Sequence, residues 1–296
     1  MIDTYRSNPA VSGTEVVKAA AGASVRQFHN REFSHPAQVA MRIGTYAHAL
    51  VFEPGECETR YAAPFLEPAG LPTTMDAKRA WLAERDVTAP AKLKAAEVDA
   101  LFQEHGGPSR ERLFADYART VLGEIPNADE WARALAIRDA VLAHPTAREL
   151  INGGTEAESE FYWLDPETGV ECKGKLDLIG TFRGRRCVIS DLKTGSKKSP
   201  DEIRRAMRYD HKWMQFFHYL NGLEINGQRV DGVFIIGADT SGPDVEVCVC
   251  EISLDSMFSM SGQYARALKR AAQLKAASPE FDGADGFGVE VFNIRL

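Results

Sequence analysis

Two short segments hold the residues best suited to chemistry: Gly174-Lys175-Leu176-Asp177 and Ser190-Asp191-Leu192-Lys193-Thr194. They belong to stretches that read as β-strands, Val170 to Phe182 and Arg185 to Leu192, joined by a turn at Gly184. If that hairpin folds symmetrically about Gly184, Asp177 and Asp191 face each other, because each lies seven residues from it. Directly opposed residues on antiparallel strands have Cβ atoms about 4.5–5.5 Å apart, and two carboxylates so placed repel. A divalent cation relieves the repulsion, and two carboxylates with waters and a substrate phosphate make a Mg²⁺ site. Alternation along the strand puts Asp191 and Lys193 on one face and Leu192 on the other. The plain alternative is a solvated hairpin, since D-x-K is common by chance. Cys187-Val188-Ile189 makes the strand largely apolar, however, and a charged cluster ending a buried strand is costly without a role.

The elements that must position these residues fall into two halves. Up to about residue 150 the pattern is helical: Met75 to Asp86, Ala91 to His105, Ser109 to Leu122 and Ala128 to Ala143, with an earlier helix over Pro36 to Leu50. Breaks fall at Pro90, Gly106-Gly107-Pro108, Pro126 and Pro145, and Pro54, Pro64, Pro68 and Pro72 mark a turn-rich connector. From residue 151 the period shifts towards two. A first strand over Glu156 to Leu164 precedes the hairpin, helices follow at Asp201 to Met207 and His211 to Leu223, and further strands at Gly232 to Ile236 and Val245 to Ile252. A last helix runs from about Asp255 to Ala277. A meander, a crossover helix and further strands predict an α/β mixed sheet flanked by helices, residues 151–296, with a helical N-terminal elaboration, residues 1–150.

Composition narrows the class. The 296 residues carry 42 Asp and Glu against 35 Lys and Arg, a net charge of −7, which argues against a protein held to nucleic acid by overall basic charge. No stretch approaches the ~18 apolar residues of a membrane span, and Met1-Ile2-Asp3-Thr4 lacks the features of a secretory signal. Five cysteines without a C-x-x-C pair argue against a zinc or iron–sulfur framework and fit buried thiols in a reducing cytoplasm.

Five motifs occur in order: Gly44-Thr45-Tyr46-Ala47-His48-Ala49-Leu50, Glu156-Ala157-Glu158-Ser159, Gly169 to Asp177, Asp191-Leu192-Lys193-Thr194 and Gln215-Phe216-Phe217-His218-Tyr219. On these the chain resembles the PD-(D/E)xK nuclease superfamily, and within it the phage and prophage exonuclease VIII (RecE-like) branch. Lys175 departs mildly from that pattern, where Arg is more usual. The resemblance implies a restriction-endonuclease-like core, with Asp177 and Asp191 as metal ligands and the Leu192 carbonyl as a third. Lys193 would orient or activate the attacking water, and Glu158 would complete the acidic cluster. On strand parity Glu158 cannot be told from Glu156 and Glu160, so its assignment rests on the resemblance. A lone His in an Ala-rich helix is usually a packed, satisfied one; the resemblance instead makes His48 a metal ligand, a donor better suited to Mn²⁺ than to Mg²⁺. His105, His144, His211 and His218 have no such context and read as structural or surface residues.

Gln215 and Tyr219 lie four apart on one helix face, whose neighbours Trp213, Phe216, Phe217 and Leu220 read as core. The resemblance implies that the pair touches DNA backbone or positions Lys193. It further implies a 5′→3′ exonuclease on linear double-stranded DNA, giving single-stranded tails for recombination. Mg²⁺ or Mn²⁺ would be the cofactor, with a ring-shaped homo-oligomer and a single-strand annealing protein as a partner. An endonuclease or single-strand nuclease of the same fold, or a non-catalytic DNA-binding module, are the rival readings. Charge is also uneven: residues 171–213 hold twelve Lys and Arg against six acids, +6, leaving −13 elsewhere. A basic path beside the acidic cluster would supply salt-sensitive binding to phosphates.

Overall fold

The computed structural model describes residues 4–30 and 34–277. Among them the N-terminal elements are α1 (Thr4–Ser7), β1 (Val11–Ser12), α2 (Gly13–Ala20), α3 (Val25–His29) and α4 (His35–Phe52). Then come α5 (Pro54–Arg60), α6 (Met75–Ala83), α7 (Ala95–Glu104), α8 (Arg110–Ala118), α9 (Ala128–Ala143) and α10 (Pro145–Asn152). The strand-rich part runs β2 (Gly154–Leu164), β3 (Glu171–Phe182), β4 (Arg185–Gly195), α11 (Pro200–Tyr209), α12 (Trp213–Ile225), β5 (Gly232–Asp239) and β6 (Glu246–Ile252). It ends with α13 (Leu254–Ser259) and α14 (Ser261–Ala276). The chain divides into two compact units, Gly55–Ala132 and the remainder.

In the larger unit a six-stranded mixed sheet has the order β1-β3-β4-β5-β6, with β2 paired to β3. The meander β2-β3-β4 is antiparallel, β4 and β5 are parallel, and β6 closes the edge antiparallel to β5. This is the mixed α/β sheet flanked by helices that the alternating pattern predicts. β5, Gly-Val-Phe-Ile-Ile-Gly-Ala-Asp, is buried along seven of its eight residues, as a continuous apolar run must be when both sheet faces are covered. Leu176, Ile189, Ile235, Phe216, Leu220 and Leu268 are each within 1 % of complete burial in one core. Each such side chain contributes about 1.5–3 kcal/mol relative to exposure.

The parallel crossover from β4 to β5 contains the two expected helices, α11 and α12. Two features differ from the sequence pattern. The last helix is interrupted at Met260, which ends α13 and precedes α14, while Ser253 caps the start of α13. The two-residue β1 and the eight-residue α2 are too short to give a period, yet β1 pairs with β3 at Val11↔Cys172 and α2 packs on α12 and α14. The change of period at residue 150 also differs from the division into compact units. α4, though early in the chain, packs on β3 and β4 and belongs with the sheet.

The smaller unit is helical. Thr74 and Ser109 cap α6 and α8 by accepting the N–H of Ala77 and Arg112. Leu82, Val98 and Phe102 fill its centre, with Trp81 edge-on to Phe102 at 5.0 Å. Lys78 pairs with Asp99 at 2.6 Å between α6 and α7.

Candidate active site

The β3–β4 hairpin turns through Arg183 and Gly184, both at positive φ (47° and 82°), the pairing of angles that a tight two-residue hairpin demands. Next to the turn Phe182 pairs with Arg185, a register that would set Asp177 across from Ser190. A bulge between Gly180 and Phe182 shifts it by one, giving Gly180↔Val188 and Leu178↔Ser190. Continued by one residue, that register sets Asp177 opposite Asp191. The expected opposition thus arises from a tight turn and a compensating bulge.

Beyond this point the strands carry side chains rather than a regular ladder. Asp177 Oδ2 accepts the backbone N–H of Leu192 at 2.9 Å. Burial, and then the charge of Asp191, push the Asp177 carboxyl above its usual range. Asp191, 3 % exposed, holds the Lys193 ammonium at 2.6 and 2.9 Å through its two oxygens. The nearer oxygen, Oδ2, receives no well-directed hydrogen bond despite that proximity. Burial by itself would lower Lys193, but Asp191 and Asp177 outweigh it and keep the ammonium above its ordinary value.

Glu158 stands on β2 at the position across from Asp177, between the pairs Ala157↔Leu178 and Ser159↔Leu176. Its φ is +50°, a left-handed backbone that costs a residue with a Cβ about 1–2 kcal/mol. Strain of this kind concentrates at functional sites. It also separates three glutamates that alternation alone leaves equivalent. Glu158 Oε1 approaches His48 at 4.0 Å while its Oε2 holds Lys175 Nζ at 2.9 Å; Glu156 accepts the Ser159 hydroxyl, and Glu160 lies 3.9 Å from Lys175.

His48 arrives from α4. Gly44, one turn earlier, faces Thr194 at the end of β4, and a Cβ there would fall 3.0 Å from Thr194 Oγ1. The missing side chain lets the helix approach the strand end closely enough for His48 to reach the hairpin. His48 Nε2 lies 2.9 Å from the Leu192 carbonyl oxygen. A carbonyl only accepts, so Nε2 carries a proton, and Nδ1 is the nitrogen turned towards the carboxylates. Nδ1 lies 3.4 Å from Asp177 Oδ2 and 4.0 Å from Glu158 Oε1. The ligand atoms of His48, Glu158 and Asp177 all fall within 4.8 Å of one another, an arrangement able to hold a metal ion. Two carboxylates gathered this closely repel, and a shared cation relieves them. The donor set, an imidazole nitrogen with its tautomer fixed from behind and two carboxylates, suits a divalent ion of the Mg²⁺–Mn²⁺ type.

The structure therefore brings His48, Glu158 and Asp177 together and sets the Asp191–Lys193 pair beside them. The Leu192 carbonyl is engaged by His48. Gln215 Nε2 donates to the Tyr219 hydroxyl at 2.8 Å, and Tyr219 is only 7 % exposed. Burial, then the carboxylates of Asp191, Asp177 and Glu158, raise its phenol far above the usual range, so the hydroxyl keeps its proton. Lys175 is a member of the cluster that only the β2–β3 register reveals: the pair Glu160↔Lys175 places it beside Glu158. His218 is fully buried between the Tyr264 hydroxyl and the Lys173 carbonyl, a structural residue as expected.

The basic window is less basic in space than in sequence. Lys175, Arg183 and Arg185 pair with Glu158, Glu149 and Glu251, all from outside it, while Lys193, Arg204 and Arg205 pair within it. Lys173 is buried, its ammonium donating to the carbonyls of Tyr5 and Asn8.

Sheet and site together define a PD-(D/E)xK-like protein. Residues 18–225 match the family described as "PDDEXK-like domain of unknown function (DUF3799)", and the chain belongs to that family. Among solved structures it is similar to a protein from Eubacterium rectale described as a putative exonuclease. That likeness has a TM-score of 0.51 at 13 % identity, covering 92 % of this chain and 84 % of the other. A second structure, SSO0001, aligns over 80 % of this chain and 89 % of its own at 12 % identity, but its TM-score of 0.28 carries no argument. No curated protein matches the chain by sequence. No described helix is long and apolar enough to cross a membrane.

Proposed function

We propose that the protein is a metal-dependent deoxyribonuclease of the RecE-like branch, a 5′→3′ exonuclease that degrades linear double-stranded DNA and leaves single-stranded tails for recombination. The observation that carries this reading is the convergence of the His48–Glu158–Asp177 acceptors with the Asp191–Lys193 pair at one hairpin end. His48 Nδ1, Glu158, Asp177 and Asp191 would hold Mg²⁺ or Mn²⁺, with the Leu192 carbonyl adjoining. When bound, the metal lowers the pKa of water and neutralises charge developing on a phosphate.

The chain's own residues do the rest. Lys193 is a fixed ammonium, anchored by Asp191, able to orient the attacking water and to stabilise charge on the scissile phosphate. Leu192 links two elements: its N–H holds Asp177 and its carbonyl holds His48. Gln215 and Tyr219 sit behind the acidic cluster. The burial of Tyr219 supports a positioning role for that hydroxyl, and the half-buried Gln215 is the member able to meet backbone phosphate. By the same resemblance the protein would work in the cytoplasm as a ring-shaped homo-oligomer alongside an annealing protein.

The test is to incubate the protein with linear duplex and with closed circular DNA, in Mg²⁺ or Mn²⁺, beside Asp191→Ala. Degradation of the linear form alone, by the unaltered protein alone, is expected. Loss of the circle as well would replace the exonuclease by an endonuclease, and equal degradation by both proteins would refute the site.

A further inference from the structure

Near Lys193 stand Lys198 and Lys212, whose ammonium groups have no carboxylate within ion-pair distance among the described residues. Lys198 lies in the link between β4 and α11, a stretch bent by Gly195 at φ +116° and Lys197 at φ +60°. Its backbone is pinned: the N–H donates to Asp239 Oδ2 at 2.6 Å, and the carbonyl accepts the Cys248 thiol. Asp239 is occupied, since its other oxygen takes the N–H and hydroxyl of Ser241. The Lys198 ammonium is left with the Ser196 carbonyl at 2.9 Å. Lys212 is the N-cap residue of α12, one turn before Phe216, over whose ring Lys193 Nζ lies at 5.8 Å. The three lysines thus stand on a strand, on the link that leaves it and at the start of the helix that carries Phe216.

They are close enough to repel. Partial burial and then Lys193 lower Lys212, with Asp210 opposing and Lys198 adding, although the residue as a whole is exposed. Burial lowers Lys198, with Asp239 opposing and Lys193 adding. Asp191 is the one carboxylate in ion-pair contact with any of the three among the described residues. The positive end of the α12 dipole adds to the same potential. Such a cluster is unfavourable alone and is relieved by an anion with several oxygens.

We propose that Lys198 and Lys212, with Lys193 at their border, form a cradle for a second phosphate of the bound nucleic-acid strand, next to the scissile one. This deepens the nuclease reading and rests on it. The phosphate has two possible sources, an internal diester or the monoester at a strand end.

The experiment measures binding of a short fluorescent blunt duplex, with or without a 5′ phosphate, by anisotropy across a salt series, with chelator present so that no strand is cut. Lys198→Gln/Lys212→Gln is compared with the unaltered protein and with Lys198→Arg/Lys212→Arg, which should restore binding. The Gln double variant is expected to bind roughly tenfold more weakly, with a salt slope shallower by about one per lost phosphate contact. Equal weakening on both duplexes assigns the cradle to an internal phosphate; weakening on the phosphorylated duplex alone assigns it to the terminal one. Unchanged affinity and slope on both would overturn the cradle while leaving the nuclease site intact. If the unaltered protein binds neither duplex and cuts no DNA, the nuclease reading itself falls, and the cradle with it. Lys212 is exposed, so Lys212→Gln alone gives the readout if the double variant misfolds.

Discussion

His218 and His48 both sit in polar surroundings, and the difference between them separates a structural site from a chemical one. His218 has both ring nitrogens engaged, by the Tyr264 hydroxyl at 2.8 Å and the Lys173 carbonyl at 3.1 Å, and is sealed from solvent. Every partner it needs is present, and burial pushes its pKa down to about 4, keeping the ring neutral. His48 has one nitrogen engaged in the same way, by a backbone carbonyl, while the other faces two carboxylates and keeps a quarter of its side chain exposed. A complete set of partners fixes a fold. An incomplete set of acceptors, open on one side, leaves room for a cation and a substrate.

The largest effect should come from the chemical cluster itself. Asp177→Ala or Lys193→Ala should lower the rate on linear DNA by about a thousandfold, comparable with losing a key electrostatic donor elsewhere. Thermal melting of Asp177→Ala should hold or rise, because a raised carboxyl and its repulsion with Asp191 are removed. His218→Ala should do the reverse. Two buried partners lose their bonds and a cavity opens, for about 3 kcal/mol of stability in denaturant melts, with activity per folded molecule retained.

The two histidines should also part in their response to pH. The folded-state pKa of His218, about 4, lies below the ~6.5 of an unfolded chain, so the unfolded state takes up a proton first as pH falls. The stabilisation is complete above pH ~6.5 and is lost as pH drops towards 4, by about 3 kcal/mol across that window. Denaturant midpoints measured over that range should show the loss, and His218→Gln should flatten it. His48→Ala should weaken Mn²⁺ binding, read by calorimetry, by about ten- to a hundredfold with little change in melting. Gly44→Val, which sets new atoms against Thr194, should move α4 outward and weaken Mn²⁺ by less than His48→Ala does.

Parts of the comparison were legible in the sequence and parts were not. Asp177, Asp191 and Lys193 could be placed because strand alternation and a glycine turn are local signals. The bulge that restores the register at Leu178↔Ser190 left no mark in the hydrophobic pattern. Glu158 could not be told from Glu156 and Glu160, for what separates them is one left-handed residue in β2. Lys175 was visible as a residue but not as the partner of Glu158, which depends on a register between strands. The count of basic residues overstated the positive surface, because three of the neutralising acids come from outside the counted window. The net charge of −7 therefore neither excludes nucleic acid nor locates it.

The central claim is that His48, Glu158, Asp177 and Asp191 hold one divalent ion beside Lys193. Titrating the protein with Mn²⁺ and following the free-ion electron spin resonance signal tests it without requiring turnover. The account predicts saturable loss of that signal in the unaltered protein and its persistence in Asp177→Asn, with both proteins folded. Equal binding by the two, or none by either, would contradict it.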